Sequence, residues 1–159
     1  MKGVIAGRLK QKRFSSHEQE IFLGLVMAAA RVVEPWEQFL KSEAGLTTNQ
    51  YNVLRILRGS HPERRTCSEI GERMIARDPD ITRLIDRMEK RGLVKRSRSS
   101  QDRRVVEVGI TSKGLEVVNS LDRHADRMPK ALLGHLGLKR SRQLRDLLEA
   151  VLTELGTFP

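Results

Sequence analysis

Residues 78–91 read Asp-Pro-Asp-Ile-Thr-Arg-Leu-Ile-Asp-Arg-Met-Glu-Lys-Arg, and Gly92 follows. At roughly 100° per residue, Ile81, Leu84, Ile85 and Met88 fall within one arc of a helix. The opposite arc carries Arg83, Asp86, Arg87 and Lys90, with Thr82 and Asp80 nearer its edges. One arc is built to pack and the other to present hydrogen-bond donors. Asp78 suits the N-cap and Pro79 the first helical position, so the helix is expected to begin there. Gly92 is expected to end it.

Working upstream, Thr66-Cys67-Ser68-Glu69 fits the capping box, in which hydroxyl and carboxylate satisfy each other's backbone donors. It predicts a short helix to about Met74, with Ile70 inward, after a polar loop at 61–65. Downstream, Leu93–Arg96 and Val105–Ile110 read as strands, the second with Val106, Val108 and Ile110 on one face. Between them lies Lys-Arg-Ser-Arg-Ser-Ser-Gln-Asp-Arg-Arg, residues 95–104, too polar for a core and therefore a hairpin tip. Helix–turn–helix followed by a hairpin is the winged helix-turn-helix order. The expected fold is mainly α with a small two-stranded β wing, the head sitting on an all-helical dimerisation domain.

The remainder of the chain supports that division. Residues 1–15 read as a basic mobile arm. From Ser16, Phe22, Leu25, Val26, Ala29, Val33, Trp36 and Leu40 keep helical spacing as far as Ala44-Gly45, with Pro35 as a candidate kink. Thr47 suits the cap of a helix carrying Tyr51, Leu54 and Leu57 up to Gly59. Thr111 suits the cap of a long helix with Val118, Leu121, Ala125, Met128 and Leu132 as its seam, and Pro129 as a bend. Gly134 and Gly137 mark a turn. A last helix aligns Leu144, Leu147, Leu148, Val151, Leu152 and Leu155. Residues 16–45 and 111–156 are thus a helical dimerisation region, and 46–110 the head, within one compact chain. Their apolar faces exceed what a small head covers, which points to a homodimer.

Charge placement indicates what the head meets. The net charge is +10, with Lys2, Arg8, Lys10, Lys12 and Arg13 unopposed in residues 1–13. Residues 55–104 hold fifteen Lys or Arg against eight Asp or Glu, while the remainder is slightly acidic. A local cationic field suits a polyanion, because neutralised phosphates release counterions. On the helix, the Arg83 fork matches guanine O6 and N7, and Arg87 and Lys90 suit phosphate. Asp80 can accept from cytosine N4 or serve the helix start. On the hairpin, Arg98, Arg103 and Arg104 suit a narrow minor groove, with Asp102 to aim a neighbouring Arg. A solvated amphipathic surface is the plain alternative.

Residues Thr82–Val94, then Asp102-Arg103-Arg104, then Ile110-Thr111-Ser112-Lys113-Gly114 resemble the multiple-antibiotic-resistance-regulator (MarR) family of bacterial transcription factors. The likeness spans about residues 16–156, its specific motifs lying within 66–114. It implies an obligate homodimer built through the first and last two helices, and a repressor or sometimes activator released by a small ligand or thiol oxidation. By family position, Thr82, Arg83 and Arg87 match DNA-contacting helix residues, and Arg104 the wing Arg with Asp102 as its orienting partner. Asp78-Pro79-Asp80 departs from the family's small, hydroxyl-rich helix opening. The basic arm is also longer than the pattern requires, and so is a candidate extra DNA contact. Double-stranded DNA is the expected partner, and a pseudo-palindromic operator follows from twofold symmetry.

Other classes find less support. No nucleophile elbow, phosphate-cradling glycine loop or metal triad occurs, so no enzyme, cofactor or metal is expected. His17, His61, His124 and His135 are scattered. Trp36, Tyr51 and Arg55 are candidates for an effector pocket, the rings serving equally as core; Arg58 is a second possible carboxylate partner. Cys67, the single cysteine, is a redox-sensor candidate or a structural cap residue. A winged-helix module for acidic protein partners is the other alternative. With no apolar stretch of spanning length and no signal-like start, a cytoplasmic location is expected.

Overall fold

The computed structural model describes residues 3–76 and 78–155. Lys2, counted in the basic arm, and residue 156, the end assigned to the helical region, lie outside them. The chain divides into two compact units, residues 1–119 and 120–159. The division falls at the end of a helix rather than between the expected head and helical region.

The first unit opens with α1 (Val4–Leu9). The arm read from sequence as mobile therefore carries a helix. It lies on α2 (His17–Ala44), where Gly24 leaves space for the end of Ile5. Ser16 caps α2 by accepting from the Gln19 N–H, and Gly45 closes it at φ +58°. The helix runs as one element through Pro35, the candidate kink. Pro35 is exposed, so water can satisfy the carbonyl that loses its partner. Helix α3 (Thr48–Ser60) starts from a full capping box between Thr47 and Gln50. It carries the centre of the core: Tyr51, Val53, Leu54 and Leu57 are all buried.

Strand β1 (Arg65–Thr66) leads into α4 (Cys67–Glu72) and α5 (Ile81–Lys90). The hairpin is β2 (Val94–Arg98) with β3 (Val106–Ile110), antiparallel with Val94 opposite Ile110 and Arg98 opposite Val106. Strand β1 adds to the far side of β3, giving the order β1-β3-β2. The expected two-stranded wing is thus part of a three-stranded sheet. A two-residue strand has too few residues to show an alternation, so sequence periodicity missed it. On β3 only Val108 is fully buried; Val106, near the tip, is exposed.

Helix α6 (Ser112–Ser120) follows. The second unit contains α7 (Asp122–Leu133), a short 3-10 turn (Gly134–Leu136) and α8 (Gly137–Leu155). The single long helix expected from Thr111 is divided at Leu121, whose φ −88° and ψ −13° leave the ideal helical region. Gly137 turns the chain into α8 at φ +67°. Leu138, Leu147 and Leu152 on α8 are each about two-thirds exposed. No helix among the described residues is long and apolar enough to cross a membrane.

Candidate nucleic-acid interface

The site begins at the α4 cap. Thr66 Oγ1 accepts from the Glu69 N–H at 3.2 Å, and Glu69 Oε2 accepts from the Thr66 N–H at 2.7 Å. The Thr66 N–H and then its hydroxyl hold the Glu69 carboxyl below the ordinary carboxylate range, assisted by Arg65 and Arg73. Ile70 is buried beneath this turn, and Leu84, Ile85 and Met88 present the packing face of α5. The arc division read from sequence holds: Thr82, Arg83, Arg87 and Lys90 are exposed.

The helix starts two residues later than expected. Asp80, not Asp78, is its N-cap, and Oδ1 accepts from the Arg83 N–H at 3.1 Å. Asp78 instead closes the preceding turn, accepting from the Asp80 N–H at 3.0 Å and from Asn49 Nδ2 at 2.9 Å. The Asn49 bond, then the Asp80 N–H, lower the Asp78 pKa, with Arg87 adding a weaker pull. Pro79 therefore lies in the turn before the helix. Sequence reasoning placed the cap at the first of two aspartates; a side chain from α3, distant in sequence, decides between them.

Asp80 Oδ2 also meets Arg83 Nε at 3.1 Å, while the Arg83 side chain stays 79% exposed. In this structure the acid serves the helix start and holds Arg83. Asp86 departs from expectation too. It forms an ion pair with Arg96 of β2 instead of standing free on the presenting arc. Arg96 Nη2 donates to the Thr82 carbonyl at 3.0 Å, and Nη1 lies 3.5 Å from Glu89 Oε2. The Arg96 backbone N–H donates to Glu89 Oε1 at 2.7 Å. Burial lowers the Arg96 pKa, but the Asp86 bond and charge, then Glu89, outweigh it and the net shift is upward. Arg96 fastens the presenting helix to the hairpin, and sequence reasoning missed it. The available signal was the pair Asp86 and Glu89, three apart on one side of a helix, with an Arg in the middle of the next strand.

Arg91 ties the other end. Its guanidinium donates to the carbonyls of Ala44 at 2.8 Å and Gly45 at 2.9 Å, satisfying the C-terminus of α2. On the hairpin, Arg98, Arg103 and Arg104 are exposed, and none reaches a carboxylate at ion-pair distance among the described residues. Asp102 meets Arg104 at the backbone and not at the guanidinium: Oδ1 accepts from the Arg104 N–H at 2.9 Å. Its carbonyl accepts from the Val105 N–H at 2.9 Å, making a turn that sets both arginines on the outside. Replacing Arg103 and Arg104 together by Gln is expected to flatten the salt dependence of duplex binding, by about one unit of slope for each phosphate left without its cation. Fluorescence anisotropy across a salt series measures this, and an unchanged slope would remove the hairpin from the DNA-facing surface.

The effector candidates separate. Trp36 and Tyr51 meet edge to face at 4.9 Å, and Trp36 stacks on Phe39 at 5.5 Å. Tyr51 is buried, as a core ring is. Arg55 is exposed and lines a cleft that neither ring lines. Arg58 donates to Asn119 Oδ1 at 2.9 Å. Cys67, half-buried, opens α4 and borders a cleft of about 520 Å³ with Ser68, Glu72, Asp78, Pro79 and Ile81. Among the described residues no three His, Cys, Asp or Glu side chains gather as a metal site.

A helix with one buried and one cationic exposed arc, locked to a cationic hairpin, defines a winged helix-turn-helix DNA-binding protein. The MarR family model matches residues 46–106. The chain is 34% identical to the uncharacterized HTH-type transcriptional regulator YfiV of Bacillus subtilis over 140 residues, covering 86% of this chain and 78% of that protein. It shares 40% identity with the MarR transcription factor from Planctomyces limnophilus, at a TM-score of 0.64, covering 87% of this chain and 99% of that one. Sco3205 of Streptomyces coelicolor, a MarR family regulator solved in complex with DNA, shares the fold at 20% identity and a TM-score of 0.76, covering 94% and 93%. The chain belongs to the MarR family of transcriptional regulators. It is a DNA-binding regulator, and the relatives it matches are regulators rather than enzymes.

Proposed function

We propose that the chain is a homodimeric, sequence-specific repressor that reads a pseudo-palindromic operator and is released by a small aromatic or acidic ligand. The observation that carries the sequence-specific part is Arg83, exposed yet held at its Nε by the cap residue Asp80. The bond fixes the root of the guanidinium and leaves its outer nitrogens for a base edge. Arg87 and Lys90 then serve phosphate, as do Arg98, Arg103 and Arg104 on the hairpin.

The dimer is supported by apolar surface in both units. Phe22 and Val26 on α2 are 63% and 52% exposed, and Leu147 and Leu152 on α8 are 67% and 66% exposed. Faces of this kind are covered in an assembly, and a second copy is the partner proposed here. Residues 16–45 and 111–156 supply this region and 46–110 the reading head. Two heads related by a twofold axis would enter successive major grooves about 34 Å apart. A cytoplasmic location follows from the work of such a protein. The basic arm around α1 adds a further DNA contact.

Selection of bound duplexes from a random pool tests the reading. The expected product is a pair of inverted half-sites one helical turn apart. Arg83→Ala should lose about 1–3 kcal/mol on that selected site while keeping its affinity for random duplex. A pool that yields no enriched sequence, or an unchanged affinity in Arg83→Ala, would end the sequence-specific reading.

A further inference from the structure

We infer that the cleft between α3 and the turn after α4 binds a small amphipathic organic anion through Arg55 and Arg73. This rests on the effector reading above and gives it a place. The cleft holds about 430 Å³, and its lining includes Asn52, Arg55, Ile56, Ser60, Arg73 and Ile75. That size suits a small ligand. None of these residues is acidic.

Arg65, Arg83 and Arg96 each pair with a carboxylate. Arg55 and Arg73 reach none at ion-pair distance among the described residues. Arg73 Nη1 has only the Ser60 hydroxyl, at 3.5 Å, and that oxygen already accepts from Arg65 Nε at 3.1 Å. Two guanidinium forks, one from α3 and one from the end of α4, therefore face one space with most donors unspent. A carboxylate or phosphate head satisfies both at once. Beside them Ile75 is 83% exposed and Ile56 half-buried, an apolar wall for a short hydrocarbon body.

The cleft also sits on the turn that delivers the reading helix. Asn52, buried on α3, accepts from the Ile75 N–H at 2.8 Å. Asn49, one turn earlier, holds Asp78 just before the α5 cap. An anion that draws Arg73 toward Arg55 pulls on the segment these two asparagines position. Occupancy therefore biases where α5 begins, and with it the aim of Arg83.

Calorimetric titration of the full chain with octanoate, benzoate and inorganic phosphate tests the assignment. The two organic anions should bind, and phosphate more weakly, since it lacks a body for Ile56 and Ile75. The Arg55→Gln/Arg73→Gln variant should bind them at least about tenfold more weakly; Arg55→Lys/Arg73→Lys should fall between, keeping charge without the fork. Arg64→Gln, outside the cleft, should match the wild type. Equal affinity in the double Gln variant, or no heat with any of the three anions, overturns the site. DNA retardation without added anion separates this from the broader reading. If the wild type retards DNA and the titrations are flat, the cleft alone falls. If it retards none, the regulator reading falls while the titrations still judge the cleft.

Discussion

Replacing Gly114 with Ala is expected to cost about 3 kcal/mol of stability, at the upper end for overpacking a core. For a chain of this size that is a drop of about 6–12 °C in Tm. A Cβ there would lie well inside contact with the Leu93 carbonyl oxygen and 2.8 Å from Ile110 Cγ1. The oxygen is backbone and cannot swing aside. It is also in use, accepting from the Thr111 N–H at 3.2 Å. Thr111 Oγ1 donates to the Gly92 carbonyl at 2.7 Å and accepts from the Gly114 N–H at 3.0 Å, and Lys113 Nζ donates to the Arg91 carbonyl at 2.8 Å. The start of α6 is therefore seated on the corner between α5 and β2, and Gly114 is what permits so close an approach. Gly59→Ala is the control, because a Cβ at that helical position meets nothing within 4 Å; it should be neutral or stabilise by up to about 1 kcal/mol. Thermal unfolding by circular dichroism reads both. A Gly114→Ala protein melting with the wild type would mean the corner yields, and this packing account would fail.

That corner also shows what kind of information the sequence carried. The Ile110-Thr111-Ser112-Lys113-Gly114 run was legible as a family motif and Thr111 as a cap, and Thr111 does bond the Gly114 N–H. The same hydroxyl's second bond, to Gly92, is a tertiary contact that no local pattern encodes. The cap at Thr47 and the capping box at Thr66 were readable because the partners lie within four residues; the reciprocal bond from Gln50 at Thr47 was not read. The packing arc of α5 was readable because burial repeats with the helical period. Roles that depend on a distant side chain were not. Asp78 was given the cap because Pro79 after it suits a first helical position; the bond from Asn49 that holds Asp78 in the preceding turn has no local signal. Asp86 was placed with the presenting residues because its angle on the helix is right, and its pairing with Arg96 depends on the position of β2. Trp36, Tyr51 and Arg55 were grouped as effector candidates by residue type; the two rings meet each other, while Arg55 lines a cleft that neither ring lines. The exposed arginines of the reading surface were the easiest part, since solvent exposure is what charge predicts by default.

Arg96→Ala is expected to weaken binding to the selected operator about a hundredfold, while affinity for random duplex falls only a few-fold. It should also cost about 2 kcal/mol of stability, the worth of hydrogen bonds to charged groups. Asp86 and Glu89 are 44% and 37% exposed and can rehydrate, which keeps the stability loss below that of a fully buried pair. The binding loss has a different origin. Without the guanidinium, two carboxylates on the reading helix lose their counter-charge beside a polyanion. The Thr82 carbonyl, one residue before Arg83, loses its tie to the hairpin. Helix and hairpin then reach their grooves independently, and the base contacts suffer more than the phosphate contacts, which tolerate displacement. Loss of a phosphate-binding cation would behave otherwise, lowering specific and random affinity together and flattening the salt slope. The ratio of specific to random affinity therefore separates positioning from simple charge. Arg96→Lys restores the charge but not the fork that spans Asp86 and the Thr82 carbonyl, so it should recover random binding fully and the ratio only in part. Asp86→Asn in the Arg96→Ala background should regain some affinity on every duplex by removing one of the two unpaired acids, without restoring the ratio. Competition anisotropy at a single ionic strength measures all four proteins. Should Arg96→Ala hold its operator within threefold of the wild type, the helix is aimed by its core packing alone and the Arg96 clamp is incidental to reading.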